Sequence, residues 1–285
     1  MDGSRRKAPM WKRRLAMRDP KGHPATTGPA LSLQDLLAPV TKAQFFETYL
    51  EQTYLYSPHH GARDLSPLFQ LSDLDHMLGQ MSDLSTIKTT GGRLGAEDEG
   101  DAGTTSATDL GQLFAAYERG KTVVLNGIHR TWDPVRRLCG RLMPELGMAL
   151  QCNLYVTPVG ARGFGCHWDG HDVLVVQVEG SKEWTLYPMI EDMPAPDADG
   201  QSFEPKGKPL AEITLHAGDV LYIPRGMPHV AQATHQKSAH LTIGCLGVAW
   251  RDLMEAAVHI VARDQPGMRH ALPPDWLSAG IAGHP

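Results

Sequence analysis

From residue 151 onward the chain is cut into short pieces. NLYVTP, DVLVVQVEG, EWTLYP, AEITLHAG, DVLYIP, HVAQAT and HLTIGCLG are rich in β-branched and aromatic residues, and Gly, Pro and Asp punctuate them. Pieces of this length between turn residues read as strands. About seven or eight of them, closely spaced, build a double-sheet jelly roll. Gly180-Ser181 within EGSK carries the two-residue hairpin signal, and HAGD and PRGMP mark further turns. The fold class expected is therefore mainly β with flanking helices. No internal repeat is visible.

The first half has a different texture. SLQDLLAPVTKAQFFETYLEQ has helical apolar spacing, with Thr41 as an N-cap before KAQFFETYL. LSDLDHMLGQM predicts a short helix capped by Ser72. LGQLFAAYERG predicts one ending at Gly120, and WDPVRRLCGRLMPELG one with Pro134 in its first turn. KTVVLNG is a short strand, and the acidic Gly/Thr-rich stretch 95–109 predicts a mobile loop. After Trp250, the spacing of Leu253, Ala256, Ala257, Ile260 and Val261 is helical again, and the last residues, with Pro273-Pro274, look irregular.

Length and charge narrow the classes. The chain has 285 residues, enough for a substantial core. No apolar run approaches a membrane span and the N-terminus lacks the order of a secretory signal, so a cytoplasmic protein without membrane contact is expected. Residues 1–22 carry eight Lys/Arg and two Asp, a net +6 in a chain whose total is −5. Residues 1–30 read as a disordered basic arm with no motif to give it a binding mechanism, so nucleic acid is not an expected partner. Cys139, Cys152, Cys166 and Cys245 include no CxxC pair and sit in apolar stretches; they read as reduced, buried thiols.

One constellation carries chemistry. His167 and Asp169 are two apart, so on extended backbone their side chains share a side. His229 opens a later strand directly after a Pro/Gly turn. Two imidazoles and a carboxylate with an open face suit iron(II). The same set suits zinc, and histidines at this spacing also occur without any metal.

The surrounding motifs go further. HWDGHDVLVVQVEGSKEW resembles the JmjC-type 2-oxoglutarate oxygenases, in the ribosomal-oxygenase branch of the large cupin superfamily. LNGIHRTWDPVRRLCGRLMPELGMALQCNLYVTPVGARGFGCHWD is similar to that family's run into the first ligands, DVLYIPRGMPHVAQAT to its strand and turn bearing the last, and HLTIG to its closing strand. The resemblance covers roughly residues 32–250. It implies a double-stranded β-helix, with an oxygenase domain over 31–250 and a short tail, 251–285. It implies His167, Asp169 and His229 as ligands of iron(II), with no catalytic side chain beyond them. Asn153, Tyr155, Lys182 and Thr242 then bind the co-substrate 2-oxoglutarate, Lys182 pairing with its distal carboxylate, and dioxygen is the second co-substrate.

The expected activity is hydroxylation of a protein or peptide side chain, by family default a ribosomal-protein Arg or His. A free amino acid, a natural-product or peptide intermediate, and a non-catalytic metal-binding cupin are the alternatives. The family continues into a helical dimerisation region and a winged-helix-like domain. MRHALPPDWLSAG resembles only the start of that region, which leaves a homodimer an open expectation. Gly244 replaces a hydroxyl residue often found two positions after Thr242. Taken without the resemblance, Lys182 reads as a solvated turn charge, Tyr155 as packing, Thr242 as a strand former and Arg225 as a surface turn cation. His240 reads equally as a support for the site and as a core histidine, and His171 as a residue facing the substrate cavity. Trp168, Trp184 and Trp250 read as packing.

Overall fold

The structure is a computed structural model that describes residues 31–59, 63–80, 84, 86–94, 105–106, 109–189, 194, 204–205, 207–233 and 235–272. The basic arm, most of the acidic stretch 95–109 and the tail with Pro273-Pro274 lie outside the described residues.

Helices and short strands alternate up to residue 146. The first helical run is two helices, not one. In α1 (Leu33–Leu37) Ser32 and Asp35 cap each other, the Asp35 N–H donating to Ser32 Oγ and the Ser32 N–H to Asp35 Oδ2. Pro39, with no N–H to give, bars continuation, and Thr41 restarts the chain as α2 (Lys42–Gln44), which widens into a π turn over Phe45–Tyr49. β1 (Leu55–Ser57) follows. Ser72 is not a cap: it lies inside a 3₁₀ turn, Leu71–Asp73, where the Asp73 carboxylate accepts the Gln70 N–H at 2.8 Å, and α3 (Leu74–Gln80) continues from it. β2 (Ile87–Thr90), β3 (Gly92–Arg93), β4 (Thr105–Ser106), α4 (Leu110–Glu118), β5 (Thr122–Leu125) and α5 (Asp133–Leu146) complete this half. Gly120 (φ +95°) and Gly147 (φ +68°) stop α4 and α5 in the left-handed region.

The strand-rich half is β6 (Ala149–Thr157), β7 (Ala161–Arg162), β8 (Asp172–Leu186), β9 (Ala211–His216), β10 (Val220–Ile223), β11 (His229–Ala233) and β12 (Ser238–Leu246), followed by α6 (Trp250–Asp264). One sheet runs β1-β10-β8-β12-β6-β5-β2-β4, and the other β9-β8-β11-β7-β3, every pair antiparallel. This is the expected jelly roll.

β8 belongs to both sheets, which corrects one expectation. Gly180-Ser181 is not a hairpin: DVLVVQVEG and EWTLYP are one strand of 15 residues. Residues 173–176 pair with β10, and residues 181–186 pair with β9 on the other side of the barrel. Between them the ladder to β12 slips, with Gln177 opposite His240 but Glu179 opposite Ala239, so Val178 is an extra residue. Such a bulge bends a strand and resets its alternation. Val173 and Val175 face the small inner cluster with Leu221 and Ile223; beyond the bulge it is the even residues Trp184 and Leu186 that do so. Gly180 takes the bend at φ +69°, and a Cβ there would stand 1.8 Å from the Lys237 carbonyl oxygen.

The larger core lies outside the barrel. Leu138 and Leu142 of α5 and Leu36 and Leu37 of α1 pack with Leu154, Val156, Leu174, Val176, Leu241 and Ile243 from the outward face of the sheet. The four cysteines are buried free thiols, as expected. No residue of α6 is buried. Among the described residues no helix is long and apolar enough to cross a membrane.

Candidate metal centre

Backbone pairing sets up the centre. His167 and His229 form an isolated antiparallel bridge, His229 N–H donating to the His167 carbonyl at 2.8 Å and His167 N–H to the His229 carbonyl at 3.1 Å. Directly opposed residues of an antiparallel pair project to the same face, and the two rings sit 4.6 Å apart. Asp169 follows two residues after His167, its carbonyl accepting the Gly226 N–H at 3.0 Å. The Asp172 carboxylate takes the Arg225 N–H at 2.8 Å, so the PRGMP turn is tied to the HWDGHD segment at two points. One donor atom from each of His167, Asp169 and His229 lies within 4.8 Å of the others, the one such metal-capable group among the described residues.

The imidazoles are held in a ligating state. His167 Nδ1 is 2.9 Å from the Gly165 carbonyl and His229 Nδ1 is 3.0 Å from the Met227 carbonyl. A carbonyl only accepts, so each Nδ1 carries a proton and Nε2 is the atom each ring would offer a metal. Burial, and secondly the neighbouring His167, hold His229 down at about 4, so it is neutral at pH 7. Two imidazoles and a carboxylate, with no thiolate, fit iron(II) by donor chemistry.

A cavity of about 320 Å³ opens beside the trio. Tyr155, Lys182, Trp184, His240 and Thr242 line it with the three donor residues. Lys182 is not a solvated turn charge. The bulge turns it inward, where it is 3 % exposed, and its Nζ donates to Thr157 Oγ1 at 3.1 Å. No carboxylate pairs with it among the described residues, and burial holds its ammonium down at about 7. Tyr155, its phenol pushed up by burial, stacks on His240 at 4.8 Å and 7°. The Trp184 indole N–H is buried with no partner among the described residues. A buried ammonium with an idle indole donor near it fits an anionic ligand, because such groups left unsatisfied are costly.

Of the seven site residues expected from the sequence, six line this cavity. Asn153 does not: its Oδ1 accepts the Gly127 N–H at 2.9 Å, and its side chain also meets the Tyr155 side chain. His171 stands outside the trio, 3.3 Å from the Gln151 amide; a Cβ on Gly244 would meet its ring at 3.1 Å, so His171 fills the space a side chain at 244 would take. Arg225 pairs with Glu51 at 2.8 Å. Sequence reasoning missed several lining or supporting residues, Thr157 and Phe164 among them. Thr157, the Lys182 partner, is legible from the period of two that links it to Asn153 and Tyr155. Phe164, 5.3 Å from the His167 ring, has no such signal.

Two sheets sharing a strand, with two imidazoles and a carboxylate on the inner face, define a jelly-roll protein with a candidate metal site. Residues 129–253 match the JmjC domain. The chain is 30 % identical over 259 residues to the bifunctional lysine-specific demethylase and histidyl-hydroxylase NO66 of Dictyostelium discoideum, covering 86 % of this chain and 49 % of that one. It is 28 % identical over 260 residues to ribosomal oxygenase 1 of Danio rerio, covering 86 % and 46 %. In fold it is similar to E. coli YcfD, with a TM-score of 0.63 at 17 % identity, over 83 % of this chain and 61 % of that one. A second structure of YcfD, a ribosomal oxygenase in complex with cobalt and 2-oxoglutarate, gives 0.60. Residues 129–253 therefore form a JmjC domain similar to those of the ribosomal oxygenases, and the chain spans about half the length of these curated relatives.

Proposed function

We propose that this chain is an iron(II)- and 2-oxoglutarate-dependent hydroxylase of a protein or peptide side chain, with residues 31–250 as its catalytic domain. The observation that carries the reading is a buried ammonium without a carboxylate partner among the described residues, Lys182, in the same cavity as His167, Asp169 and His229. YcfD binding of cobalt and 2-oxoglutarate in the same fold supports it.

His167, Asp169 and His229 would hold the iron. Iron(II) and 2-oxoglutarate, when bound, supply the oxidation by dioxygen. The chain's own residues do the rest. Lys182 gives a compact charge to the far carboxylate, and the Tyr155 and Thr242 hydroxyls donate to the same anion. Asn153, held by Gly127, orients Tyr155. Val173, Val175 and Trp184 give the cavity apolar walls. The relatives' names, histidyl-hydroxylase and ribosomal oxygenase, support a protein side chain as substrate, and a ribosomal-protein His or Arg is the first to test.

The experiment is succinate release from 2-oxoglutarate with ribosomal proteins, read together with a mass gain of one oxygen on the protein. Asp169→Ala abolishes iron binding and turnover together. Iron affinity unchanged in that variant would overturn the ligand assignment.

A further inference from the structure

The co-substrate cavity contains a histidine that neither the metal trio nor the lysine contact uses. His240 is 2 % exposed and lines the cavity beside Lys182 and Thr242. Its ring is fixed on two sides, flat against Tyr155 and edge-on to Trp184 at 5.6 Å and 81°. Its nitrogens differ from those of His167 and His229, which are tied to carbonyls. His240 Nδ1 is buried with no partner, and no hydrogen bond to a protein group satisfies the ring among the described residues. A buried imidazole in that condition needs polar atoms from a ligand.

We propose that His240 is a second anchor for the distal carboxylate of the co-substrate, donating an imidazole N–H next to the Lys182 ammonium. The inference rests on the 2-oxoglutarate reading above. The chemistry of the pocket's inner end selects the carboxylate. Its donors are the Lys182 ammonium, the Tyr155 and Thr242 hydroxyls, the Trp184 indole N–H and this imidazole, and the one acidic residue among the lining residues, Asp169, belongs to the metal trio. Burial, and then the neighbouring Lys182, keep His240 neutral. A neutral imidazole offers an N–H to the anion without placing a second positive charge against the ammonium.

The test uses the full chain loaded with redox-inert manganese(II) and measures binding by calorimetry. The probes are 2-oxoglutarate and 2-oxopentanoate, which share the chelating keto-acid end and the chain length but differ in the distal carboxylate. His240→Phe keeps a flat ring on Tyr155 and removes the donor. It weakens 2-oxoglutarate roughly ten- to hundredfold, the worth of a hydrogen bond to a charged group, and leaves 2-oxopentanoate unchanged. His240→Gln, which restores a donor, recovers part of the loss. An unchanged 2-oxoglutarate affinity overturns the proposal, as does an equal loss for both acids, which would mean that His240 only packs. Should His240→Phe not fold, His240→Leu read against His240→Gln keeps the comparison. A wild-type chain that does not prefer 2-oxoglutarate to 2-oxopentanoate overturns the co-substrate reading itself.

Discussion

Lys182 is the residue whose environment says most about the site. An ammonium 3 % exposed, bonded to one threonine hydroxyl and facing a cavity, loses much of its hydration without gaining a counter-charge among the described residues. Burial lowers it to about 7. The ionisable groups that face it are Tyr155 from β6 and His240 from β12, both neutral near pH 7. A carboxylate favours the charged form, so binding draws a proton onto Lys182 in any molecule that lacks one. The sign follows. Below about 7 the ammonium is already present in the empty cavity and affinity for 2-oxoglutarate is level. Above about 7 the affinity falls, by up to about tenfold per pH unit, until the bound-state value is reached. Titrations of the manganese-loaded chain between pH 6 and 9 check this. In Lys182→Met the overall affinity drops and the slope vanishes, while metal binding is unchanged. A level profile in the wild type would show that Lys182 is charged throughout.

At the scale of elements, the bulged strand β8 decides where that lysine goes. Gly180→Ala places a Cβ 1.8 Å from the Lys237 carbonyl in a left-handed conformation, with backbone on the other side of the clash. The expected cost is about 1–3 kcal/mol from the backbone conformation alone, plus a shift of the strand that withdraws Lys182. Denaturant unfolding reads the first, and a rise in the Kd for 2-oxoglutarate larger than that for metal reads the second. Equal affinities for 2-oxoglutarate in the variant and the wild type would mean that the bulge at Val178 alone sets the inward face. The same strand marks the limit of what the sequence made legible. Strands, the Pro134 start of α5, the Gly120 stop of α4, and the trio His167, Asp169 and His229 all rest on local signals or ordered motifs. Gly180-Ser181 is a local signal too, but it is shared by a hairpin and a bend within a strand. What separates them is the partner across the ladder: Ser238 and Ala239 continue to pair where a hairpin would turn back. The inward position of Lys182 therefore depends on a contact some 55 residues away in sequence, and without the family resemblance its residue type and neighbours pointed to solvent.

At the scale of the whole molecule, stability and chemistry occupy opposite faces of one sheet. Leu174, Val176, Leu241 and Ile243 face outward to the α1 and α5 layer, and Val173, Val175, His240 and Thr242 face inward to the cavity. Leu142 of α5 is fully buried in the outer core, so Leu142→Ala costs about 2–5 kcal/mol of unfolding free energy. The metal acts on the same free energy from the other face. A ligand that binds only the folded chain adds about 2.7 kcal/mol at 100 times its Kd. Leu142 touches none of the trio, and effects at sites without shared partners add within about 0.3–0.5 kcal/mol. Unfolding of wild type and Leu142→Ala, each with chelator and with manganese(II) at one fixed concentration, 100 times the wild-type Kd, forms a closed cycle. The metal increment should be the same in both. A smaller increment in Leu142→Ala would mean that the sheet transmits the packing of its outer face to the placement of His167, Asp169 and His229, and that the two faces are one mechanical unit.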